Sequence, residues 1–159
     1  MTYPDPIYLA ATGEASATVR RSSQAPDYRY PSGNTVHYLA TAAGTNRLFG
    51  LYRWEMVPEA GGPGPHFHRT MAESFYVLAG SVRIYDGREW LETGPGDFVH
   101  VPPGGIHGFR NESKAPASML IHFAPGGPRE AYFEGTVKAA TLNDEEREAF
   151  YRAHDNLWV

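Results

Sequence analysis

The chain has no cysteine. That excludes disulfides, thiolate zinc sites, Fe–S clusters and a cysteine nucleophile. Lysine is almost as scarce: Lys114 and Lys138 are the only two, and arginine supplies the other basic residues. Fourteen basic against eighteen acidic residues give a net charge of −4 over 159 residues. With no basic stripe, duplex nucleic acid is excluded as an expected partner. No apolar run approaches the ~20 residues of a membrane helix, so no membrane association is expected. The first 30 residues lack the apolar core of a secretory signal. The expected compartment is therefore the cytoplasm.

Turn formers and aromatics are plentiful: 17 Gly, 13 Pro, 10 Tyr, 8 Phe and 3 Trp. Aromatics favour strands, and Gly and Pro favour the turns between them. Thr35–Thr41, Leu48–Val57, Glu73–Leu78, Ser81–Tyr85, Asp97–Val101 and Ser118–Phe123 read as short strands. Gly-Pro clusters separate them, which predicts an all-β antiparallel sandwich or barrel. Residues 1–34, interrupted by Pro4, Pro6, Pro26 and Pro31, read as an N-terminal arm with one short strand near Ile7–Leu9. The arm reads either as a frayed terminus or as one that pairs with a neighbouring subunit, and Tyr28 and Tyr30 favour the second. Residues 35–135 form the expected barrel and 136–159 a C-terminal segment with one helix, capped by Asn143 with Glu146 three residues on.

Metal chemistry without sulfur needs His and carboxylate, and there are seven His. The strongest local signal is Gly64-Pro65-His66-Phe67-His68, followed by Glu73. Residues two apart on a strand share a face, so His66 and His68 point the same way. A tight antiparallel turn over Arg69–Ala72 would return Glu73 beside them. His107, after Pro102-Pro103-Gly104-Gly105, could reach the same spot. Three neutral imidazoles and one carboxylate suit one divalent transition metal per chain: Fe(II), Mn(II), Ni(II), Co(II), Cu(II) or Zn(II). Four such ligands in an octahedral field leave two positions for substrate and dioxygen, or for a bidentate substrate.

These residues also fall into two spaced blocks. The first runs from Gly61, Gly62 or Gly64 through His66-x-His68 and Glu73 to Gly80; the second joins Gly96, Pro102-Pro103-Gly104, His107 and Asn111. They resemble the two motifs of the cupin superfamily over residues 47–127, about half the chain. The resemblance implies a cupin β-barrel or jelly roll, a metal held by His66, His68, Glu73 and His107, and a homodimer. Phe75-Tyr76-Val77-Leu78-Ala79-Gly80 and Phe123-Ala124-Pro125-Gly126-Gly127 are similar to single-domain cupins of the quercetin 2,3-dioxygenase-like group. The superfamily hosts many chemistries, so fold alone does not decide function.

The leading expectation is a metal-dependent dioxygenase, an oxidoreductase acting on a small apolar, enolisable or aromatic substrate. Glu73 would ligate the metal and accept a substrate proton. A non-redox isomerase, cyclase or lyase is the alternative, and a binding module without catalysis the third reading. Tyr52, Trp54 and Met56, which share one strand parity, and Phe75 and Phe109, in phase with Glu73 and His107, are the expected pocket walls. His37, His100 and His122 lie in strands and read as structural or hydrogen-bonding residues, and His154 as solvent-facing.

Overall fold

The computed structural model describes residues 2–159. Eleven strands and two helices follow in the order β1 (Tyr28–Arg29), β2 (Thr35–Ala40), β3 (Gly50–Met56), β4 (His66–Phe67), β5 (Ala72–Ala79), β6 (Val82–Tyr85), β7 (Trp90–Thr93), β8 (Phe98–Val101), β9 (Gly108–Arg110), β10 (Ala117–Ala124), α1 (Arg129–Ala139), α2 (Asp144–Ala153) and β11 (Leu157–Trp158). All pairings are antiparallel. One sheet has six strands in the order β1-β2-β3-β10-β5-β8, a second has three in the order β7-β6-β9, and β11 pairs with β4 in a short ribbon. This is the jelly-roll sandwich that the spacing of strands and turns predicts.

Alternation along the strands builds the core. In β3, Tyr52, Trp54 and Met56 face inward while Leu51, Arg53 and Glu55 face outward. Met119, Ile121 and Phe123 of β10 continue that inner surface, in register with Trp54, Tyr52 and Gly50. Val82, Ile84 and Phe109 from the smaller sheet close on it to form one apolar cluster. Each such side chain contributes roughly 1.5–3 kcal/mol by leaving water.

Expectations about the two chain ends are corrected in part. No strand forms at Ile7–Leu9: residues 2–27 carry no strand, and Ile7 and Leu9 are exposed. Pro4 and Pro6 remove backbone donors there. Tyr28 and Tyr30 dock within the chain, where their hydroxyls donate to the carbonyls of Glu134 (3.3 Å) and Phe133 (3.1 Å). The C-terminal segment holds two helices and a strand. Asn143 does cap α2, its Oδ1 accepting from the Glu146 amide at 2.9 Å. Helix α1 begins earlier, at Arg129, inside the stretch expected to be barrel. Its Gly135, Thr136 and Val137 are poor helix formers, so packing rather than propensity holds it. Tyr132 and Phe133 are buried, and Phe133 meets Tyr52 and Trp54 edge-on at 5.1 and 5.5 Å between centroids.

Candidate metal centre

His66, His68, Glu73 and His107 converge. All four are buried, and one potential ligand atom from each lies within 4.8 Å of the others. They come from three places. His66 is in β4, with His68 just beyond its end; Glu73 is the second residue of β5; and His107 directly precedes β9. The expected hairpin between His68 and Glu73 does not form. β4 pairs with β11, whereas β5 lies between β10 and β8 in the large sheet. The bend at Arg69–Thr70 therefore carries the chain from one wall of the sandwich to the other, and Glu73 faces the histidines across the interior.

The backbone joins the two motifs directly. The His66 amide donates to the His107 carbonyl and the His107 amide to the His66 carbonyl, both at 2.8 Å. Glycines allow the close approach: a Cβ on Gly62 would lie 2.9 Å from the Phe109 carbonyl carbon, and one on Gly108 would lie 2.8 Å from the Pro63 oxygen. Asn111 pins the adjoining loops, its Nδ2 donating to the carbonyls of Val57 (3.0 Å) and Ala115 (2.9 Å).

Each imidazole is oriented from behind. Nδ1 of His66 donates to the Gly64 carbonyl (2.8 Å) and Nδ1 of His107 to the Gly105 carbonyl (2.9 Å). Nδ1 of His68 donates to the carbonyl of Asp155. A carbonyl can only accept, so each Nδ1 carries its proton and each Nε2 is left as the ligand nitrogen. Nε2 of His107 and of His68 lie 2.7 and 2.9 Å from Oε2 of Glu73. Burial, reinforced by the charge on His107, pushes the His66 pKa down to about 3. Burial also opposes charge on His107, but the Glu73 carboxylate outweighs it and raises that pKa. Burial favours the neutral form of Glu73, and the two imidazoles beside it reverse this and hold its carboxyl well below the usual range. Once deprotonated for metal binding, the set would offer three imidazole nitrogens and a carboxylate oxygen. This set fits a divalent transition metal.

The centre opens into a cavity of about 260 Å³. His66 and Glu73 form part of its wall, with Trp54, Phe109, Phe123 and Phe133 as its apolar sides. Two of the five expected wall residues, Trp54 and Phe109, are therefore present. Tyr52, Met56 and Phe75 are not. They have the inward parity, but neighbouring rings and helix α1 bury them completely: Tyr52 lies beneath Phe133 and bonds Glu130, and Phe75 lies behind His107 and Phe109. His37 contacts Arg53 (3.1 Å), His100 contacts Ser74 (2.9 Å) and His122 packs on Phe49. None of the three lines the cavity. His154 is half-buried rather than solvent-facing, because it packs on Phe150, with centroids 4.6 Å apart, at the end of α2.

Several wall residues carry no signal in the motifs. Arg129, Tyr132 and Thr136 come from α1, Tyr30 from the arm, and Tyr151 and Trp158 from the C-terminal segment. Trp158 lies over His66 at 5.3 Å between centroids. Asp155 has the same kind of hidden role. At φ 53°, its carboxylate accepts from the amides of Arg69 (3.0 Å) and Thr70 (2.9 Å) and from the Thr70 hydroxyl (2.7 Å). It thereby latches the C-terminal segment to the bend that follows His68.

A cupin-domain family model matches residues 52–123, a span that holds all four cluster residues. This match and the fold support membership of the cupin superfamily. Among curated proteins, this chain is 35% identical over 48 residues to quercetin 2,3-dioxygenase of Bacillus subtilis; the match spans 30% of this chain and only 14% of that one. Among solved structures, it is similar to the polyketide cyclase RemF of Streptomyces resistomycificus, with 28% identity and a TM-score of 0.57 over 72% of this chain and 82% of that one. KdgF of Halomonas sp. shares the fold, at 16% identity and a TM-score of 0.62 over 73% of this chain and 99% of that one. No helix among the described residues is long and apolar enough to cross a membrane.

Proposed function

We propose that this cupin is a metal-dependent enzyme, a dioxygenase acting on a small enolisable or aromatic substrate, with His66, His68, Glu73 and His107 as the metal ligands. One observation carries the reading: three Nδ1–H groups tethered to carbonyls aim three Nε2 atoms and one carboxylate at a common point, at the wall of an apolar cavity. A structural metal would be closed off by its ligands, whereas this centre faces a space of ring size. The short match to quercetin 2,3-dioxygenase supports the oxygen-dependent chemistry.

A divalent metal bound there supplies Lewis acidity and, when redox-active, electrons for dioxygen chemistry. The chain's own residues do the rest. Glu73 lines the cavity and turns Oε2 toward the histidines, which leaves Oε1 to accept a proton from a substrate enol or phenol. Trp54, Phe109, Phe123 and Phe133 hold the apolar body and exclude water, which strengthens every charge interaction inside. The likeness to a polyketide cyclase favours a second reading, in which the same centre polarises a carbonyl without oxygen. We also propose a cytoplasmic homodimer.

The test is elemental analysis of the purified protein, followed by oxygen uptake with flavonols, 1,3-diketones and catechols under each candidate metal. Oxygen-dependent turnover supports the dioxygenase; turnover that persists without oxygen transfers the assignment to cyclase or isomerase chemistry. His66→Ala and Glu73→Ala should each lose stoichiometric metal, and full retention in both refutes the ligand assignment.

A further inference from the structure

Arg129 is the first residue of α1 and is only 3% exposed. Nη1 donates to the His154 carbonyl at 2.9 Å, and Nε finds no partner. No carboxylate among the described residues forms an ion pair with it. Its guanidinium carbon lies 4.1 Å from the Tyr132 ring centroid and 4.9 Å from that of Phe123. Those faces attract a cation but cannot neutralise it. Arg129 lines the same cavity as Glu73 and His66.

Local structure does not explain an arginine here. A cation at the first position of a helix opposes the helix dipole, which favours negative charge at that end. A single hydrogen bond to a carbonyl needs no guanidinium. Buried charges are ordinarily paired, and an unpaired one is costly to retain. The cavity has the same surplus from its other side. Three neutral imidazoles and one carboxylate around a divalent ion leave a positive charge, and Arg129 adds another. Both point to an anion that arrives with the ligand.

We propose that Arg129 is a specificity-determining residue that receives the carboxylate of a small aromatic acid, while a phenol or enol oxygen on the same molecule is directed to the His66/His68/Glu73/His107 centre. The substrate class becomes an apolar body with one acidic group, in place of a neutral flavonol-like or diketone body. The proposal rests on the metal reading above. The rings of Trp54, Phe109 and Phe133 take the body, and the guanidinium selects the acid over its neutral analogues.

The experiment uses two probe pairs, salicylate with salicylamide and 4-hydroxybenzoate with 4-hydroxybenzamide, which exchange a carboxylate for a neutral amide of nearly the same shape and place the hydroxyl at two distances from it. Binding to the metal-loaded wild type, Arg129→Gln and Arg129→Lys is measured by calorimetry, with metal content and circular dichroism recorded for each. In the wild type, the acid of at least one pair should bind about tenfold or more tightly than its amide. Arg129→Gln should abolish that preference with metal content unchanged, and Arg129→Lys should keep part of it. Equal binding of acid and amide in both pairs by the wild type overturns the proposal whether or not the variants fold. A preference that survives in Arg129→Gln also overturns it, since the carboxylate is then held elsewhere. A wild type that takes up no metal defeats the metal reading instead, and acid-over-amide binding to the metal-free protein then decides the role of Arg129 by itself.

Discussion

Asp155 offers a sharp test of how the centre is supported. Its carboxylate receives three donors from Arg69 and Thr70, and its main-chain carbonyl orients His68. A hydrogen bond contributes a net 0.5–1.5 kcal/mol, roughly, and partial exposure places each of these near the low end, for a sum of about 2 kcal/mol. Alanine carries a further penalty of about 1 kcal/mol because the residue sits at φ 53°. Asp155→Ala should therefore lose about 3 kcal/mol in denaturant unfolding at pH 7, or roughly 9 °C in Tm. Asp155→Gly accepts the left-handed backbone and should lose about 2 kcal/mol; Asp155→Asn keeps one acceptor and should lose about 1 kcal/mol. Releasing the latch also loosens the partner of His68, so metal affinity should fall about tenfold in the alanine variant.

The pH dependence has a definite sign. Burial works to raise the Asp155 pKa, but the Thr70 hydroxyl and the two amides outweigh it and hold it below 3.8. A depressed carboxyl stabilises the fold above its unfolded pKa and loses that contribution as the pH falls through the folded value. The gap between wild type and Asp155→Asn should thus be full near neutrality and narrow below pH 3.8. An alanine variant within 0.5 kcal/mol of wild type (below the ~1 kcal/mol of a single hydrogen bond), or a gap that widens on acidification, refutes the latch.

Two further outcomes follow from the geometry. Gly62→Ala places a Cβ against the main chain of Phe109, which cannot rotate away, so thermal unfolding should show a loss of about 2–3 kcal/mol. Added metal at a thousandfold excess over its Kd should stabilise the wild type by about 4 kcal/mol in the same assay and leave Glu73→Gln far less affected; equal stabilisation of both would place the ion elsewhere.

The motifs announce the ligands because their constraints are local. An imidazole pair two residues apart, a carboxylate and a third imidazole among glycines and prolines form a pattern that few other structures require. Strands with clean alternation, such as β3, are equally legible. The cavity wall is not, because its pieces come from segments that meet only in three dimensions. Tyr30, Arg129 and Trp158 have no mutual spacing to read, yet they surround one space. Helix α1 hides for a related reason: Gly135 and Thr136 weaken its own pattern, and Phe133 earns its place only once Trp54 is across from it. Parity names the inner face of a strand but cannot tell cavity wall from core, which is why Tyr52 and Phe75 look like wall residues in the sequence.

The reciprocal amide bonds between His66 and His107 have a practical consequence. They fix the distance between the two motifs without help from the chain that runs between them. Part of that chain leaves as the β6–β7 hairpin, whose Asp86–Glu89 turn is closed by its own hydrogen bonds. The turn is therefore a natural port for engineering. A fluorescent reporter or a second domain spliced between Arg88 and Glu89 would lengthen the connection while the ligand spacing stays clamped at its base.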